Sequence, residues 1–435
     1  MHARTTTVTI TKPQSAWHII LPVGAGTAFS LMGDTTMYAV LPTHLAQAGV
    51  LLASVGILLS ANRFVRLAAN SGVGLIVDRW APRTVFVLAL CFGAVSTALY
   101  AVVRGFWPLL LARLLWGISW SGIWIAGNKL VLDAAGHGRR GRWVARYHLI
   151  YFLGTGVSAL IGGALTDWLG YRDAMAIGAA IQAAGVAIAW LFLPAPSKAS
   201  QHEGQDMAID ESGQVEHKRR PARTPDLQQP RLLLTELGAT SGLLGTTRFL
   251  IAGVWVSTLS LFLAQAVGEQ VALLGQQVGV ATLTGAGLAA TTFLSMLFMP
   301  LIVGFSDHGS SRWWYALAGM VAGSAGYLLL ALGAASAIFL GLPLLALANS
   351  SGQGISTALA GDLTRKTGRG RFLGVLYTVG DLGGAAGPPL AFALVPLWGT
   401  QLLYFLGAAV FACMLLVSLQ RALKDRQRLA EAARK

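Results

Sequence analysis

Five ionisable residues stand where ionisable residues are costly. Asp34 lies in the run LMGDTTMYAVLP, Arg113 in RLLWG, Asp381 in YTVGDLGGAAGPP, and Arg63 with Arg66 in ANRFVRLAAN. Each belongs to a stretch long and apolar enough for a helix to cross a bilayer. A charge at that depth must face protein or water, so each is a functional candidate by default. A carboxylate that alternates between a dry site, an arginine partner and entering water can take up and release a proton. At 1.5 Å per residue, Asp34 lies ~26 Å from Trp17 at the start of its helix. Arg113 lies ~30 Å from Asp133 at the end of its own. The two depths are similar, and the residues are expected to be neighbours, as a proton-coupling pair or as a static ion pair that holds a bundle.

Other chemistries find no support in the sequence. The spans hold no cluster of histidine, cysteine and carboxylate, so no metal site or metal cargo is expected. No Gly-Lys-Ser/Thr phosphate loop is present, which argues against an ATP-driven pump, and no nucleophile–base pair recommends an enzyme. Cys91 and Cys413 fall inside apolar runs and read as small packed side chains. No cofactor is expected.

The elements that must position these groups follow from composition. The chain has 435 residues, 54% hydrophobic and 11% charged, with mean hydropathy +0.61. A soluble domain carries about a quarter charged residues. The sequence predicts an all-α integral membrane protein with twelve spans near 17–42, 50–77, 84–103, 107–132, 144–168, 173–194, 247–274, 279–305, 313–333, 336–360, 371–397 and 400–419. An even number puts both termini on one side, and no cleavable leader is expected.

The net charge of +14 is distributed by topology. Arg104 and Arg172 are the basic residues on the side away from the termini. Arg63, Arg66, Arg113 and Lys129 lie within spans. All other lysines and arginines are counted with termini-side segments, Arg146, Arg248 and Arg371 at span ends being taken with the adjoining loops. Positive charge marks the cytoplasmic side, so both termini are expected in the cytoplasm. This placement suits anionic headgroups and not nucleic acid.

Residues 195–246 are polar, mixed in charge and without apolar periodicity, and read as a flexible linker. They separate a bundle at 1–194 from a second at 247–420, with a basic tail at 421–435. The halves repeat. DAAGHGRRGR begins at Asp133 and ends at Arg142; DLTRKTGRGR begins at Asp362 and ends at Arg371. The offset of 229 (362 − 133) also relates Asp78 to Asp307 (307 − 78) and Arg83 to Arg312 (312 − 83). A duplicated six-helix unit is a common plan of secondary transporters.

The motifs carry a family likeness. GLIVDRWAPR, from Gly74 to Arg83, resembles the signature between helices 2 and 3 of the major facilitator superfamily, with Ala81 and Pro82 in place of its Gly-Arg. RLLWG resembles the helix-4 signature, with Trp116 in place of glutamine. GTGVSALIGG, from Gly154 to Gly163, resembles the helix-5 antiporter signature, with Ser158 and Ala159 in place of its Gly-Pro. The style is that of drug/proton antiporters.

That resemblance implies two pseudo-symmetric six-helix bundles, with helices 1, 4, 7 and 10 lining a central cavity and helices 2 and 11 facing each other. The implied coupling residues are Asp34, Arg113, Asp381, Arg66 and Arg63, with Arg66–Asp381 as a pair between bundles; the alternative is that the two arginines pair within the first half or line a wet cavity. Tyr38, Trp120, Trp124, Gln265, Asn349 and Gln353 are expected to line the cavity, the alternative for Trp120 and Trp124 being simple packing against neighbouring helices. The loop residues Asp78, Arg79, Arg83, Asp133, Arg142, Asp307, Arg312, Asp362 and Arg371 read as topological anchors and as a cytoplasmic latch. Gly74 is expected to let the other half approach closely. The reading is a proton-coupled secondary transporter of a small amphipathic or drug-like organic solute, exporting it across the inner membrane as a monomer. The alternatives are an uptake symporter and a non-transporting sensor or scaffold.

Overall fold

The computed structural model describes residues 16–135, 140–194, 230–273, 275–308, 311–363 and 369–434. Six long helices form the first half: α1 (Trp17–Val40), α2 (Leu52–Arg79), α3 (Pro82–Val102), α4 (Phe106–Ala134), α5 (Arg140–Leu169) and α6 (Tyr171–Phe192), with a single helical turn, Leu45–Ala48, between α1 and α2. In the second half α7 is continuous through Pro230–Thr247, a π-helical stretch Arg248–Trp255, and Val256–Val267. A hairpin of β1 (Gln270–Leu273) and β2 (Gln276–Gly279) follows, in antiparallel register with Gln270 opposite Gly279. Then come α8 (Val280–His308), α9 (Trp313–Ala331) and α10 (Ala337–Leu363). The last helical run, Arg369–Arg434, is broken at Gly399, whose φ of 73° lies in the left-handed region that glycine adopts freely. It therefore forms α11 (369–398) and α12 (400–434).

Among the described residues, ten helices are long and apolar enough to cross a membrane, with 372–428 counted as one. Separating α11 from α12 and adding α1, which carries Asp34 and Pro22, gives the twelve that the sequence predicts.

Three boundaries differ from the sequence reading. The seventh span begins at Pro230, inside the segment read as linker, and packs Leu243 and Leu244 into the core. It ends at Val267 rather than 274, because Gly268 turns the chain at φ 79° into the hairpin. The tail expected from 421 continues α12 to Arg434 and is tied down: Arg421 donates to Glu236 Oε1 at 2.7 Å and to the Thr235 carbonyl at 2.9 Å.

The helices form two bundles that meet along α2 with α11 and α5 with α8. The meeting is one-sided. Away from the termini, a Cβ built on Gly56 of α2 would lie 2.6 Å from the Pro388 carbonyl of α11. One built on Gly163 of α5 would strike the Ala281 carbonyl of α8. Only a missing side chain permits backbones this close. At the same end Asp167 Oδ2, on α5, accepts the Thr282 amide of the other bundle at 2.7 Å, a cap on the first turn of α8. On the termini side, a Cβ on Gly72 or Gly74 of α2, Gly304 of α8 or Gly374 of α11 meets nothing within 4 Å. The bundles are joined at the far end, while on the termini side none of these four glycines touches the other bundle, and the close approach expected at Gly74 is not made in this arrangement.

Candidate functional site

The site lies where the bundles converge, and Asp34 with Arg113 forms its floor. Arg113 of α4 is fully buried, and its Nη1 lies 2.5 Å from Asp34 Oδ1 of α1. A buried guanidinium needs an acceptor for each arm. Its Nε donates to the Leu58 carbonyl at 3.0 Å and its Nη2 to the Leu59 carbonyl at 3.2 Å. Asn62 of α2 adds a donor to Asp34 Oδ1 at 3.1 Å. Tyr38, one turn beyond Asp34 on α1, donates to the Leu59 carbonyl at 2.7 Å. Its ring carries the Arg63 guanidinium at 5.3 Å and that of Arg113 at 5.4 Å. Three helices are thus held together by one charge pair. The carboxylate keeps partial access, with 17% of its side chain exposed.

The interbundle pair expected between Arg66 and Asp381 takes another form. Arg63, not Arg66, reaches across: its Nη1 donates to the Gly384 carbonyl of α11 at 2.7 Å. Gly384 leaves the room, since a Cβ there would lie 2.8 Å from that nitrogen. Arg66 makes no hydrogen bond or ion pair with a described residue, and its Nε is buried without an acceptor. Asp381 is the carboxylate that acts on it most strongly through space, but the two do not touch.

One wall is aromatic. Trp120 and Trp124 of α4 stack at 5.8 Å, as their four-residue spacing allows. Tyr151 of α5 meets Trp120 at 5.7 Å and Trp124 at 5.2 Å. His148, also on α5, lies flat on Trp124 at 5.1 Å and 18°, its Nε2 buried and without a partner. On α10 the expected cavity residues are polar and bonded to one another. Gln353 donates to Asn349 Oδ1 at 2.6 Å, and Asn349 donates to Ser295 Oγ of α8 at 3.1 Å. Gln265, expected in the cavity, is instead tied at the far end of α7, where its Oε1 accepts from Thr400 at 2.5 Å. No group of three or more possible metal ligands occurs among the described residues.

The loop residues divide by half. Arg312 bridges Asp307 and Asp362, each at 2.7 Å, and donates to Ser306. Burial alone would lower its pKa, but the two carboxylates raise it. Arg83, at the equivalent place in the first half, donates to the Trp190 carbonyl at 2.6 Å. Asp78, Arg79, Asp133 and Arg142 are exposed, and none has an ion pair among the described residues. The side chain of Arg371 lies outside the described residues.

Arg248 falls at the first turn of the predicted span 247–274 and was counted with the loop charge, not weighed as a buried one; because α7 begins at Pro230, Arg248 lies well inside the helix, in the π-helical stretch. Sequence reasoning missed the α5 wall of Tyr151 and His148. An aromatic residue or histidine every third or fourth position from Tyr147 was the available signal.

Comparison with known proteins agrees with this architecture. A family model described as Major Facilitator Superfamily matches residues 23–354. A stretch of 137 residues, 31% of this chain, is 26% identical to a protein of Cupriavidus pinatubonensis described as a probable 4-methylmuconolactone transporter, covering 32% of it. Another of 97 residues, 22% of this chain, is 31% identical to solute carrier family 22 member 1 of Oryctolagus cuniculus, covering 18% of it. The matches span about a third or less of these relatives. Among solved structures, a bacterial homologue of the human lysosomal transporter Spinster, inward-facing and occupied, superposes with TM-score 0.73 at 15% identity, over 95% of this chain and 99% of that one. The nucleoside transporter NupG superposes with TM-score 0.71 at 13% identity, over 92% and 99%.

Proposed function

The chain belongs to the major facilitator superfamily, and from that premise we propose that it is a proton-coupled secondary transporter that exports a small organic solute by alternating access. The observation that carries this reading is the Asp34–Arg113 pair, its arginine fully buried and its carboxylate partly accessible, held to α2 close to the Arg63–Gly384 contact between the bundles. A carboxylate so placed can exchange its arginine partner for a proton when water or solute reaches it. The positive charge of the termini-side loops supports a cytoplasmic position for the termini at the inner membrane. The bundles then rock between the sealed far end seen here and a sealed cytoplasmic end, where Gly74 would find its neighbour. Arg312, Asp307 and Asp362 hold the cytoplasmic ends of α8, α9 and α10 together through that motion.

One observation favours uptake symport as a second reading. Ser158 and Ala159 occupy the place of the antiporter signature's Gly-Pro, and α5 runs through them as unbroken helix. The deciding experiment is solute counterflow in proteoliposomes with a panel of organic compounds, with and without an imposed pH gradient. Counterflow that an inside-acid or inside-alkaline gradient converts into net flux supports the proposal, and the sign of that gradient fixes the direction. Counterflow indifferent to pH contradicts the coupling.

A further inference from the structure

We propose that the transported solute is a small organic anion, its carboxylate or sulfonate received by Arg66 and Arg248 and its apolar body by the Trp120–Trp124 wall. This rests on the transport reading and names the substrate class of that site. The argument begins with charge. Arg63, Arg66, Arg113 and Arg248 lie in the membrane-spanning parts of α2, α4 and α7, against Asp34 and Asp381 as the acids beside them. Arg113 is neutralised by Asp34. Arg63 is committed to the Gly384 carbonyl and the Tyr38 ring. Asp381 balances one of the two that remain, without touching it.

Those two converge on one turn of α11. Arg248 passes so close that its Cγ would lie 3.7 Å from a Cβ on Gly380; Arg66 stands one turn nearer the termini than Arg63, which donates to Gly384, and Gly380 is likewise one turn nearer the termini than Gly384. Neither has a hydrogen bond or ion pair among the described residues, and in both the Nε is buried without an acceptor. A guanidinium donates and never accepts. Unmet donors inside a membrane protein are costly, and an anion would satisfy both. The planar fork matches a carboxylate or sulfonate through paired hydrogen bonds. The π-helical stretch that carries Arg248 has its own logic, since such widened turns recur at functional sites.

The apolar wall lies at the same level. Gly117 of α4 packs on Asn62 and Val65 of α2, and both helices run toward the termini side. One turn further along, Arg66 and Trp120 therefore stand at one depth. A body with a ring or conjugated system stacks on Trp120, Trp124 and Tyr151. An organic cation finds no such place: Asp34 is occupied by Arg113 and Asn62, and Asp381 faces Arg66.

The test uses the full-length protein in detergent at constant ionic strength and follows thermal unfolding. The probes are benzoate, cinnamate and benzenesulfonate, with benzamide and benzylammonium as neutral and cationic counterparts. At least one anion should raise the unfolding midpoint saturably where its counterparts do not. Arg66→Gln and Arg248→Gln should each raise the half-saturating concentration about tenfold or more, the expected loss for a hydrogen bond to a charged group. Arg66→Lys and Arg248→Lys, which keep the charge, serve if the glutamine variants fail to fold, and should bind more weakly because the fork is gone. Stabilisation by benzylammonium alone, equal stabilisation by benzamide, anion saturation unchanged in the variants, or no response to any anion overturns the proposal. Proteoliposome counterflow separates it from the transport reading. Flux of cations alone keeps the transporter and rejects the anion site; anion binding without flux keeps the site and rejects transport.

Discussion

The two halves share a register but not a chemistry. At the offset that relates Asp133 to Asp362, Trp120 and Trp124 correspond to Asn349 and Gln353, and Arg113 corresponds to Leu342. At the offset that relates Asp78 to Asp307, Arg63 and Arg66 correspond to Thr292 and Ser295. The first half therefore carries rings and charges where the second carries amides, hydroxyls and a leucine. The loops reverse the pattern. Arg312 holds two carboxylates in the second half, whereas Arg83 caps a carbonyl in the first. At these matched positions the first bundle supplies the rings and charges, while the second supplies neutral polar groups and, at its termini-side end, the Arg312 clasp; the second half's own buried charges, Arg248 and Asp381, lie elsewhere, on α7 and α11.

The sharpest way to break this comparison is to give the first half the second half's residue. Arg113→Leu strands Asp34 without its partner and should destabilise the protein by about 3–5 kcal/mol, read as a lower unfolding midpoint. Adding Asp34→Leu should recover much of that loss, because two apolar groups replace two desolvated charges. A double variant no more stable than Arg113→Leu would mean that the pair does not act as a unit.

The wall offers a smaller effect. Trp124→Ala removes ring contacts to Trp120, Tyr147, His148 and Tyr151. Each such contact is worth about 0.5–1.5 kcal/mol beyond its buried area. Solute affinity should fall while Trp124→Phe retains most of it, and equal losses in both would deny a stacking role. Smaller still is Arg312→Gln. Its carboxylate partners are half exposed, so about 0.5–1 kcal/mol for each bridge is the ceiling. Loss of the second half's clasp should show as faster hydrogen exchange at the termini-side ends of α8 and α10, with α2 and α4 unchanged.

The smallest effect is a pH dependence at the sealed end. Burial lowers the pKa of His44 below the usual 6.5, opposed by its hydrogen bond to the Val40 carbonyl and by Asp167. The unfolded chain then binds more protons than the folded one below pH 6.5, so stability is intact above that value and declines as pH falls through it. His44→Gln should flatten that part of the unfolding-midpoint profile, and an unchanged profile would assign the decline elsewhere.

Much of this was legible in the sequence because helices translate spacing into depth. Asp34 and Arg113 could be matched by counting turns from the ends of their helices, and the structure brings them together. Twelve helices followed from apolar runs and basic loops. What was not legible depended on side-chain reach and local backbone. Arg63 and Arg66 lie three residues apart on one helix, and spacing alone does not say which of them crosses to α11. Arg248 was passed over because it stands at the first turn of the apolar run, where a basic residue reads as loop charge, whereas α7 extends back to Pro230 and carries it into the interior. Gln265 was placed in the cavity by its helix number, but the turn at Gly268 ends α7 early and leaves it beside Thr400. The α12 extension was misread because its basic residues look like a tail, while Arg421 is held by Glu236 from a distant part of the chain.

The central claim is that Asp34 couples the proton to the solute from within the charged half. Its most direct test is Asp34→Asn in proteoliposomes, measured once as solute counterflow and once as flux driven by a pH gradient. The account predicts that counterflow persists while pH-driven flux is lost. A variant that is driven by the pH gradient as well as the wild type would contradict it.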